Sequence, residues 1–218
     1  MRSQNNIHNN IQNNFQNDYI YRIIERQRLN AIFKELFRKS IHICSSLIPL
    51  LLSLAYWPVI ILLVLAVVAY TVSEILRSKN INIPLISKIT EIAARKRDEN
   101  RFVLGPVTLV GGILLAALFL PLESARVGIF ALAFGDGLAS LIGKLLGKIT
   151  IPGAHGKTAA GSLTCFAAVF VSTYCCCKNC LLALVIALCA MFIEILPLSD
   201  FDNLIIPPVI GCIYSVLV

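Results

Sequence analysis

Residues 41–76 read IHICSSLIPLLLSLAYWPVIILLVLAVVAYTVSEIL, and this stretch decides the class of fold. A helix needs about 20 predominantly apolar residues to cross the hydrocarbon core of a bilayer. The stretch is therefore long enough for two such helices, with a break near Pro58. Apolar segments continue almost without pause to Val218, and 57% of the 218 residues are hydrophobic while 14% are charged. Because a soluble domain of this length needs a more polar surface, the chain is predicted to be a multi-pass integral membrane protein.

The same length criterion predicts an all-α, polytopic transmembrane bundle of about seven spans. The predicted spans lie near 41–57, 58–76, 102–121, 125–143, 160–177, 180–197 and 204–218. Residues 1–18 are rich in Asn and are predicted to be a disordered tail. Residues 19–40 place apolar side chains at helical spacing opposite a basic face, which predicts an amphipathic helix on the membrane surface or one that binds a partner. Residues 41–218 would form one membrane-embedded domain.

The basic residues predict how the chain is oriented in the membrane. Seven of the 19 Lys and Arg residues precede the first span, seven lie between Arg77 and Arg101, and three follow the fourth span. The remaining two, Arg126 and Lys178, fall on the other side. Because cytoplasmic loops are enriched in Lys and Arg, the N-terminus and these loops are predicted to be cytoplasmic. The formal charge of +7 therefore does not indicate nucleic acid binding, since the charges flank membrane segments.

Carboxylates and other polar residues gather at the predicted cytoplasmic face. Asp136 lies in the fourth span, about two turns before its end. His42 and Glu74 lie at the same face in the first two spans, Glu194 lies near the end of the sixth, and Asp202 follows it. Carboxylates at lipid depth are costly unless they are paired, bound to a metal or in a wet cavity, so their collection indicates one shared site. Such carboxylates beside basic residues suit a hard divalent cation that holds phosphates, although Glu74 could simply pair with Arg77.

Two neighbouring segments carry the strongest chemical signal. Residues 135–148 read GDGLASLIGKLLGK, and residues 151–162 read IPGAHGKTAAGS. In the first, small residues recur at every fourth position and form one helix face that another helix or a ligand can approach closely. The second is a Gly- and Lys-bearing loop before a helix start, a geometry suited to phosphate. It is not a Walker A loop, because Ile151 stands where that motif needs its first glycine.

These segments resemble the signature of the CTP-dependent lipid kinases, a family that includes dolichol kinase, phytol kinase and the eukaryotic-type diacylglycerol kinase. That family is similar in turn to the phosphatidate cytidylyltransferases. Further elements resemble the family in the same order along the chain: Arg38-Lys39-x-x-His42, Glu74 with Arg77, Thr108 with Gly111-Gly112, and Asp202-Asn203 followed by Pro207. The chain departs from the pattern KTxEGS of many relatives at Ala160, where diacylglycerol-kinase-like members are similar in having alanine.

The resemblance implies a magnesium-dependent catalytic site within residues 41–218. Asp136 would ligate Mg²⁺ or another divalent cation, or position the nucleotide's phosphates. Asp202 and Asn203 would complete that centre, with Glu74 as a further metal ligand. Asp136 or His42 would take the proton of the acceptor hydroxyl, and the sequence does not choose between them. The implied nucleotide- and phosphate-binding residues are Arg38, Lys39, Gly135, Gly137, Lys144, Lys148, Gly156, Lys157, Thr158 and Ser162.

The activity that the resemblance implies is transfer of a phosphoryl group from CTP, or another nucleoside triphosphate, to a lipid alcohol such as diacylglycerol or a polyprenol. Phosphatidate cytidylyltransferase activity, which would make CDP-diacylglycerol, is the alternative, because the same metal and lysines would serve it. A small membrane transporter or scaffold is a third reading. A transporter would carry an inverted internal repeat, which is not evident in the sequence. A homo-oligomer is compatible with each of these readings.

Overall fold

The computed structural model describes residues 2–79, 102–154 and 156–218, and these residues form helices joined by short connections. The helices are α1 (Arg2–Cys44), α2 (Ile48–Leu54), α3 (Tyr56–Ser78), α4 (Gly105–Phe119), α5 (Leu122–Leu146), α6 (Ala159–Cys177), α7 (Cys180–Ile195) and α8 (Asp202–Leu217). The predicted all-α class is confirmed for this part of the chain. Most of the basic loop between Arg77 and Arg101 lies outside the described residues, and with it part of the charge pattern on which the predicted orientation depends.

Within the described part of the chain, three helices are long and apolar enough to cross a membrane, namely α3, α5 and α6. The apolar helices α4, α7 and α8 are shorter, at 10–17 residues. Large apolar side chains on the outer faces of the helices are exposed, for example Leu62 at 65%, Phe119 at 78% and Leu181 at 71%. Such faces are expected where lipid rather than water surrounds a bundle, and they support membrane embedding.

The first predicted span, 41–57, is not a single helix, and the sequence prediction was wrong there. Helix α1 ends at Cys44, a 3₁₀ turn covers Ser45–Leu47, and the seven-residue α2 follows. Pro49 lies in the first turn of α2, where its missing N–H costs nothing, but the same residue cannot continue a helix from before it. Ala55 is then in an extended conformation, with φ −150° and ψ 77°, which separates α2 from α3. Hydropathy measures apolar length and does not register these breaks.

Helix α1 is continuous from Arg2 to Cys44, so it covers both the predicted tail at 1–18 and the predicted interfacial segment at 19–40. Its second half exposes apolar side chains, including Phe33 at 65%. Near its end the opposite face turns inward, because Glu35, Lys39 and His42 are all buried. These positions lie four and three residues apart, which is one face of an α-helix. The last turns of α1 therefore carry a polar stripe into the bundle.

The bundle core lies around α5, which packs against α1, α4, α6 and α8. Its fully buried residues include Ile129 and Leu132, and Ile113 from α4 and Ile210 from α8 join the same apolar cluster. The middle of α5, Ala131–Asp136, is a π-helical segment between two α-helical halves. Such wide turns occur often at functional sites, and this one ends at Asp136.

Small residues allow the close helix packing that the sequence predicts around residues 135–147. A Cβ atom on Gly135 would lie 2.7 Å from Val169 Cγ2 of α6, and one on Gly161 would lie 2.8 Å from the carbonyl oxygen of Ala139. A side chain at Gly112 of α4 would collide with the backbone of Asn203. The backbones of these helices therefore approach each other too closely to admit any larger residue.

The chain runs back and forth between two ends of the bundle. The start of α3 meets the end of α4, where the Tyr56 hydroxyl donates to the carbonyl of Ala117 (2.7 Å). At the other end, the backbone N–H of Val103 donates to Glu74 at the end of α3 (2.8 Å). The end of α1, the start of α6, the end of α7 and the start of α8 also lie at that second end, where they enclose a cavity.

Candidate active site

A cavity of about 240 Å³ lies at the end of the bundle where five helices meet. It is formed by the end of α1, the second half of α5, the loop before α6 with the start of that helix, the end of α7, and the start of α8. Its lining residues are Glu35, Arg38, Lys39, Asp136, Ala139, Ser140, Gly143, Lys144, Gly156, Lys157, Thr158, Gly161, Glu194, Pro197, Ser199, Asp202 and Asn203. These residues are spread over most of the chain, so the fold rather than local sequence assembles the cavity.

Asp136 is the buried carboxylate at the centre of this site, with only 3% of its surface exposed. Lys39 Nζ forms an ion pair and hydrogen bond with Asp136 Oδ2. His42 Nδ1 lies 3.3 Å from the same oxygen, although the angle is not that of a good hydrogen bond. Both partners come from the buried stripe of α1. Since an uncompensated buried charge is strongly unfavourable, Lys39 is what allows Asp136 to be ionised at this depth.

Glu35 organises a second group of charges at the mouth of the cavity. Its carboxylate accepts hydrogen bonds from Arg38 Nη2 (2.6 Å) and from Lys144 Nζ of α5 (2.7 Å). Burial acts to raise the pKa of Glu35, but the charges of Arg38, Lys144 and Lys39 outweigh it and lower the pKa to about 2. Arg38 Nη1 also lies 3.8 Å from Asp200 Oδ1. Glu35 thereby connects two predicted phosphate-binding cations across α1 and α5.

Lys157 is held at the opposite wall by Glu194. Lys157 Nζ donates a hydrogen bond to the backbone carbonyl of Glu194 and lies 3.6 Å from its Oε1. Ser162 Oγ donates to Glu194 Oε2 at 2.9 Å. The loop that carries Lys157 turns through two positive-φ glycines, Gly153 at 78° and Gly156 at 85°, which is a conformation that glycine adopts without strain. The predicted Gly- and Lys-bearing loop therefore presents its lysine to the cavity.

Asp202 and Asn203 form the remaining polar wall at the start of α8. The backbone N–H of Asn203 donates to Asp202 Oδ1 (2.8 Å), and Asn203 Nδ2 lies 3.4 Å from the Thr108 hydroxyl of α4. Two elements that the resemblance predicts, at Thr108 and at Asn203, thus meet in space. Among the described residues, Asp202 forms no direct ion pair, in contrast to Asp136 and Glu35. Its carboxylate lines the cavity, where the charges of Lys39 and Lys157 act on it from a longer distance.

Some predicted site residues lie elsewhere. Glu74 does not line the cavity; it accepts two hydrogen bonds from Arg77, at 2.6 and 2.9 Å, as the ion-pair explanation anticipated. Lys148 is exposed and outside the lining. Gly135 packs against α6, and Gly137 lies against His42 and Ile43 of α1, with 3.3 Å between an added Cβ and Ile43 Cγ1. Ser162 reaches the cavity through Glu194 rather than directly.

Two carboxylates of the cavity have no predicted catalytic, phosphate-binding or metal-binding role, namely Glu35 and Glu194, although Glu194 belongs to the carboxylates that gather at the predicted cytoplasmic face. Both are 5% exposed, and both line the cavity. Glu35 carries a sequence signal, because it lies one helical turn before Arg38 and Lys39 on a segment with a basic face. Glu194 is a carboxylate near the end of an apolar helix, which indicates a paired or functional residue. Its pairing with Lys157, 37 positions away, is visible only in the fold.

The lining fits a magnesium ion that shares its coordination with phosphate, and it does not fit a closed protein metal site. Within the described ranges, no group of three or more His, Cys, Asp or Glu side chains is arranged to hold a metal ion. Mg²⁺ usually takes only one or two protein carboxylates and completes its shell with water and substrate phosphates. Asp136 and Asp202, with the amide of Asn203, supply such a donor set on one side of the cavity.

Comparison with known proteins finds similarity to a protein that is itself uncharacterized. An uncharacterized protein of Methanocaldococcus jannaschii is 24% identical over 191 residues, covering 84% of this chain and 93% of that protein. The likeness therefore extends over nearly the whole length of both chains. No protein-family model and no solved structure matches the chain.

Proposed function

We propose that this protein transfers a phosphoryl group from CTP, or another nucleoside triphosphate, to a membrane lipid alcohol at the cavity built around Asp136. The observation that carries the proposal is the cavity lining, which joins the buried Lys39–Asp136 pair to Arg38, Lys144 and Lys157 at one end of apolar helices. The family resemblance in the sequence supplies the reaction class. The arrangement supports it because phosphoryl transfer depends mainly on positioning and on charge neutralisation.

The charges of the lining argue for a divalent cation together with the nucleotide. The cavity contains four cationic side chains and four carboxylates, so its formal charge is zero. Lys144 is engaged by Glu35 and Lys157 by Glu194, so bound phosphates would compete with these carboxylates for the lysines. Mg²⁺, held by Asp136 and the amide of Asn203, would supply the missing positive charge next to the phosphates and would leave Asp202 available for proton transfer.

In the proposed reaction the lipid hydroxyl oxygen forms a bond to the γ-phosphorus, and the bond from that phosphorus to the β–γ bridging oxygen breaks. The nucleoside diphosphate leaves, and the hydroxyl proton passes to a carboxylate. Asp202 suits that role better than Asp136 or His42, because Asp136 is already engaged by Lys39. Asp202 lines the cavity and forms no direct ion pair among the described residues.

The cavity is proposed to face the cytoplasm, with the lipid acceptor entering from the bilayer. In the sequence, 17 of the 19 Lys and Arg residues lie before the first predicted span or in the two loops predicted on the same side, which is the cytoplasmic pattern. Arg38, Lys144 and Lys157 of these line the cavity. The alternation of chain direction supports seven crossings, of which the first, Cys44 to Ala55, is a broken helix. A broken helix is tolerated at membrane depth where protein covers its backbone, and Ser45 and Leu52 of this segment are buried.

Labelled CTP tests the proposal and separates it from cytidylyl transfer. Purified protein in bilayer nanodiscs is incubated with Mg²⁺, diacylglycerol, a polyprenol or phosphatidate, and CTP labelled at either the α- or the γ-phosphate. Label that enters the lipid from the γ-position alone supports phosphoryl transfer. Label that enters from the α-position alone, with phosphatidate as acceptor, would replace the proposal with cytidylyl transfer. Transfer from neither position, with ATP and GTP also tried, would contradict both activities.

A further inference from the structure

A second concavity, of about 610 Å³, runs along the side of the bundle between α5 and α6. Helix α5 contributes Phe130, Phe134 and Leu138, which recur at every fourth position and so form one edge. Helix α6 contributes residues from Thr164 to Cys175. We call this concavity the α5–α6 groove. It opens sideways, since Val171 on its wall is 58% exposed, and so it would face lipid rather than either aqueous side.

The groove suits an apolar occupant only. Its two hydroxyl groups are used within their own helix: Thr164 Oγ1 donates to the carbonyl of Ala160 (2.8 Å), and Ser172 Oγ donates to that of Val169 (3.1 Å). The rest of its lining is aromatic, aliphatic or thiol. A polar headgroup would lose its hydrogen bonds to water on entering and would find no replacement.

Side-chain size distinguishes the groove from an ordinary lipid-facing surface. The α6 side contains the small residues Ala167 and Ala168, whereas the α5 edge carries two phenyl rings, Phe130 and Phe134, with centroids 5.5 Å apart. These rings belong to the turns where the π-helical segment widens α5. Large side chains on one helix opposite alanines on the other leave a channel between the two helices, which is the shape that one extended hydrocarbon chain fills.

The groove leads towards the candidate active site on both helices. On α5, Leu138 lines the groove, and its neighbours Ala139 and Ser140 line the cavity. On α6, Thr164 lines the groove and Gly161, one turn earlier, lines the cavity. At 1.5 Å per residue the α6 wall extends for roughly 16 Å. That length is close to one leaflet of a bilayer, whose hydrocarbon core is about 30 Å across.

We infer that the α5–α6 groove binds one hydrocarbon chain of the lipid alcohol and thereby holds its hydroxyl end at the cavity. The inference rests on the proposed function for the identity of the lipid. It explains how a site with a polar lining would select a lipid alcohol that lies in the membrane. The hydrocarbon chain of the lipid, rather than its small hydroxyl group, would provide the apolar contact area for binding.

Photolabelling tests the groove without requiring any catalysis. The protein in phosphatidylcholine nanodiscs is irradiated with a diacylglycerol that carries a diazirine midway along one acyl chain, and the labelled peptides are identified by mass spectrometry. We expect label concentrated on residues 130–138 and 164–175, reduced severalfold by excess unlabelled diacylglycerol. Ala168→Phe, which fills the groove, should remove most of this label. Ala69→Phe, at an exposed position of α3 outside the groove, should leave it unchanged.

Other outcomes would overturn the inference. Label spread evenly over α3 and the groove, or equal labelling by a phosphatidylcholine with the same diazirine chain, would mean that the groove holds only surrounding lipid. Undiminished labelling in Ala168→Phe would exclude the groove as the binding site. If Ala168→Phe does not yield folded protein, the competition experiment on the unaltered protein decides. Because labelling needs no nucleotide, a protein without transfer activity but with competed groove label would refute the proposed function alone.

Discussion

At the scale of single residues, the proposed site is centred on the buried pair of Lys39 and Asp136. Both side chains are nearly inaccessible, at 3% and 4% exposure, so each is the principal reason that the other can be charged. Removing one partner of a buried ion pair typically costs about 3–5 kcal/mol, because the remaining charge is left without compensation. Replacing both partners with uncharged residues is far less costly. A single and a double variant can therefore separate the contribution of the pair to stability from its contribution to catalysis.

Asp136→Asn is expected to abolish phosphoryl transfer and to lower the thermal midpoint of the purified protein in detergent by several degrees. The double variant Lys39→Met with Asp136→Asn should recover much of the midpoint, because no unpaired charge remains, but none of the activity. Differential scanning fluorimetry measures the first quantity and the labelled-CTP assay the second. A double variant that regains activity would show that the pair has only a structural role.

Glu35 predicts a pH dependence of stability. Its pKa is lowered from 4.5 to about 2 by Arg38, Lys144 and Lys39, so the folded state favours its ionised form. The resulting stabilisation is complete above the unfolded pKa and is lost as the pH falls from about 4.5 through about 2. The thermal midpoint of the unaltered protein should therefore exceed that of Glu35→Gln at pH 6. The difference should shrink steadily between pH 5 and pH 3, and a constant difference over this range would contradict the assignment.

At the scale of secondary-structure elements, glycine contacts fix the approach of α5 and α6 around the cavity. A Cβ atom on Gly161 would lie 2.8 Å from the carbonyl oxygen of Ala139, closer than real Cβ atoms come to other atoms. Gly161→Ala must therefore push α6 away from α5, at a cost of about 1–3 kcal/mol. The same shift would move Lys157, which lies four residues before Gly161 in the preceding loop, relative to Asp136.

Gly105→Ala is the matched control for Gly161→Ala, since an added Cβ at Gly105 meets nothing within 4 Å. We expect Gly161→Ala to lower both the thermal midpoint and the transfer rate, while Gly105→Ala leaves both unchanged or slightly raises the midpoint. Thermal unfolding and the labelled-CTP assay measure the two effects. If the two variants had the same thermal midpoint and the same transfer rate, the distance between α5 and α6 would not determine the geometry of the site.

How much of the structure the sequence could predict differs from element to element. The apolar length of 58–76 predicts α3 almost to its ends, since periodicity is strong in a long uninterrupted run. The same measure fails at 41–57, because Pro49 and the extended Ala55 interrupt a segment whose composition is still apolar. The motif pattern identified most of the polar residues that line the cavity. It omitted Glu35 and Glu194, whose importance lies in their partners Lys144 and Lys157.

At the scale of the whole molecule, the bundle has a polar end that carries the cavity and an opposite end that carries few charges among the described residues. Helix α6 starts beside the cavity and ends at Cys177, and its 19 residues extend for roughly 28 Å. The turn between α6 and α7 therefore lies on the far side of the bundle from Lys157. Cys180 in that turn is exposed, and so is Lys148 at the cavity end.

Thiol labelling from one side of the membrane tests the proposal that the cavity end of the bundle faces the cytoplasm. In a background with the other native cysteines replaced by serine, a membrane-impermeant maleimide applied to right-side-out vesicles should react with Cys180. It should not react with a thiol introduced by Lys148→Cys in the fully cysteine-free protein until the vesicles are opened. The reverse pattern would place the cavity on the outer face. Reaction at both positions in sealed vesicles would contradict a membrane-spanning α6.

The most direct test of phosphoryl transfer at Asp136 is to measure transfer of label from γ-labelled CTP to lipid by the purified protein and by its Asp136→Asn variant. The bilayer contains diacylglycerol or a polyprenol, and Mg²⁺ is present or removed by chelation. We predict label in the lipid for the unaltered protein with Mg²⁺. For Asp136→Asn, or after chelation, we predict roughly a hundredfold less or lower still, in line with the loss of a charge-stabilising group from an active site. Undiminished transfer by a folded Asp136→Asn protein, or no transfer by the unaltered protein with any nucleotide and lipid alcohol, would contradict phosphoryl transfer at Asp136.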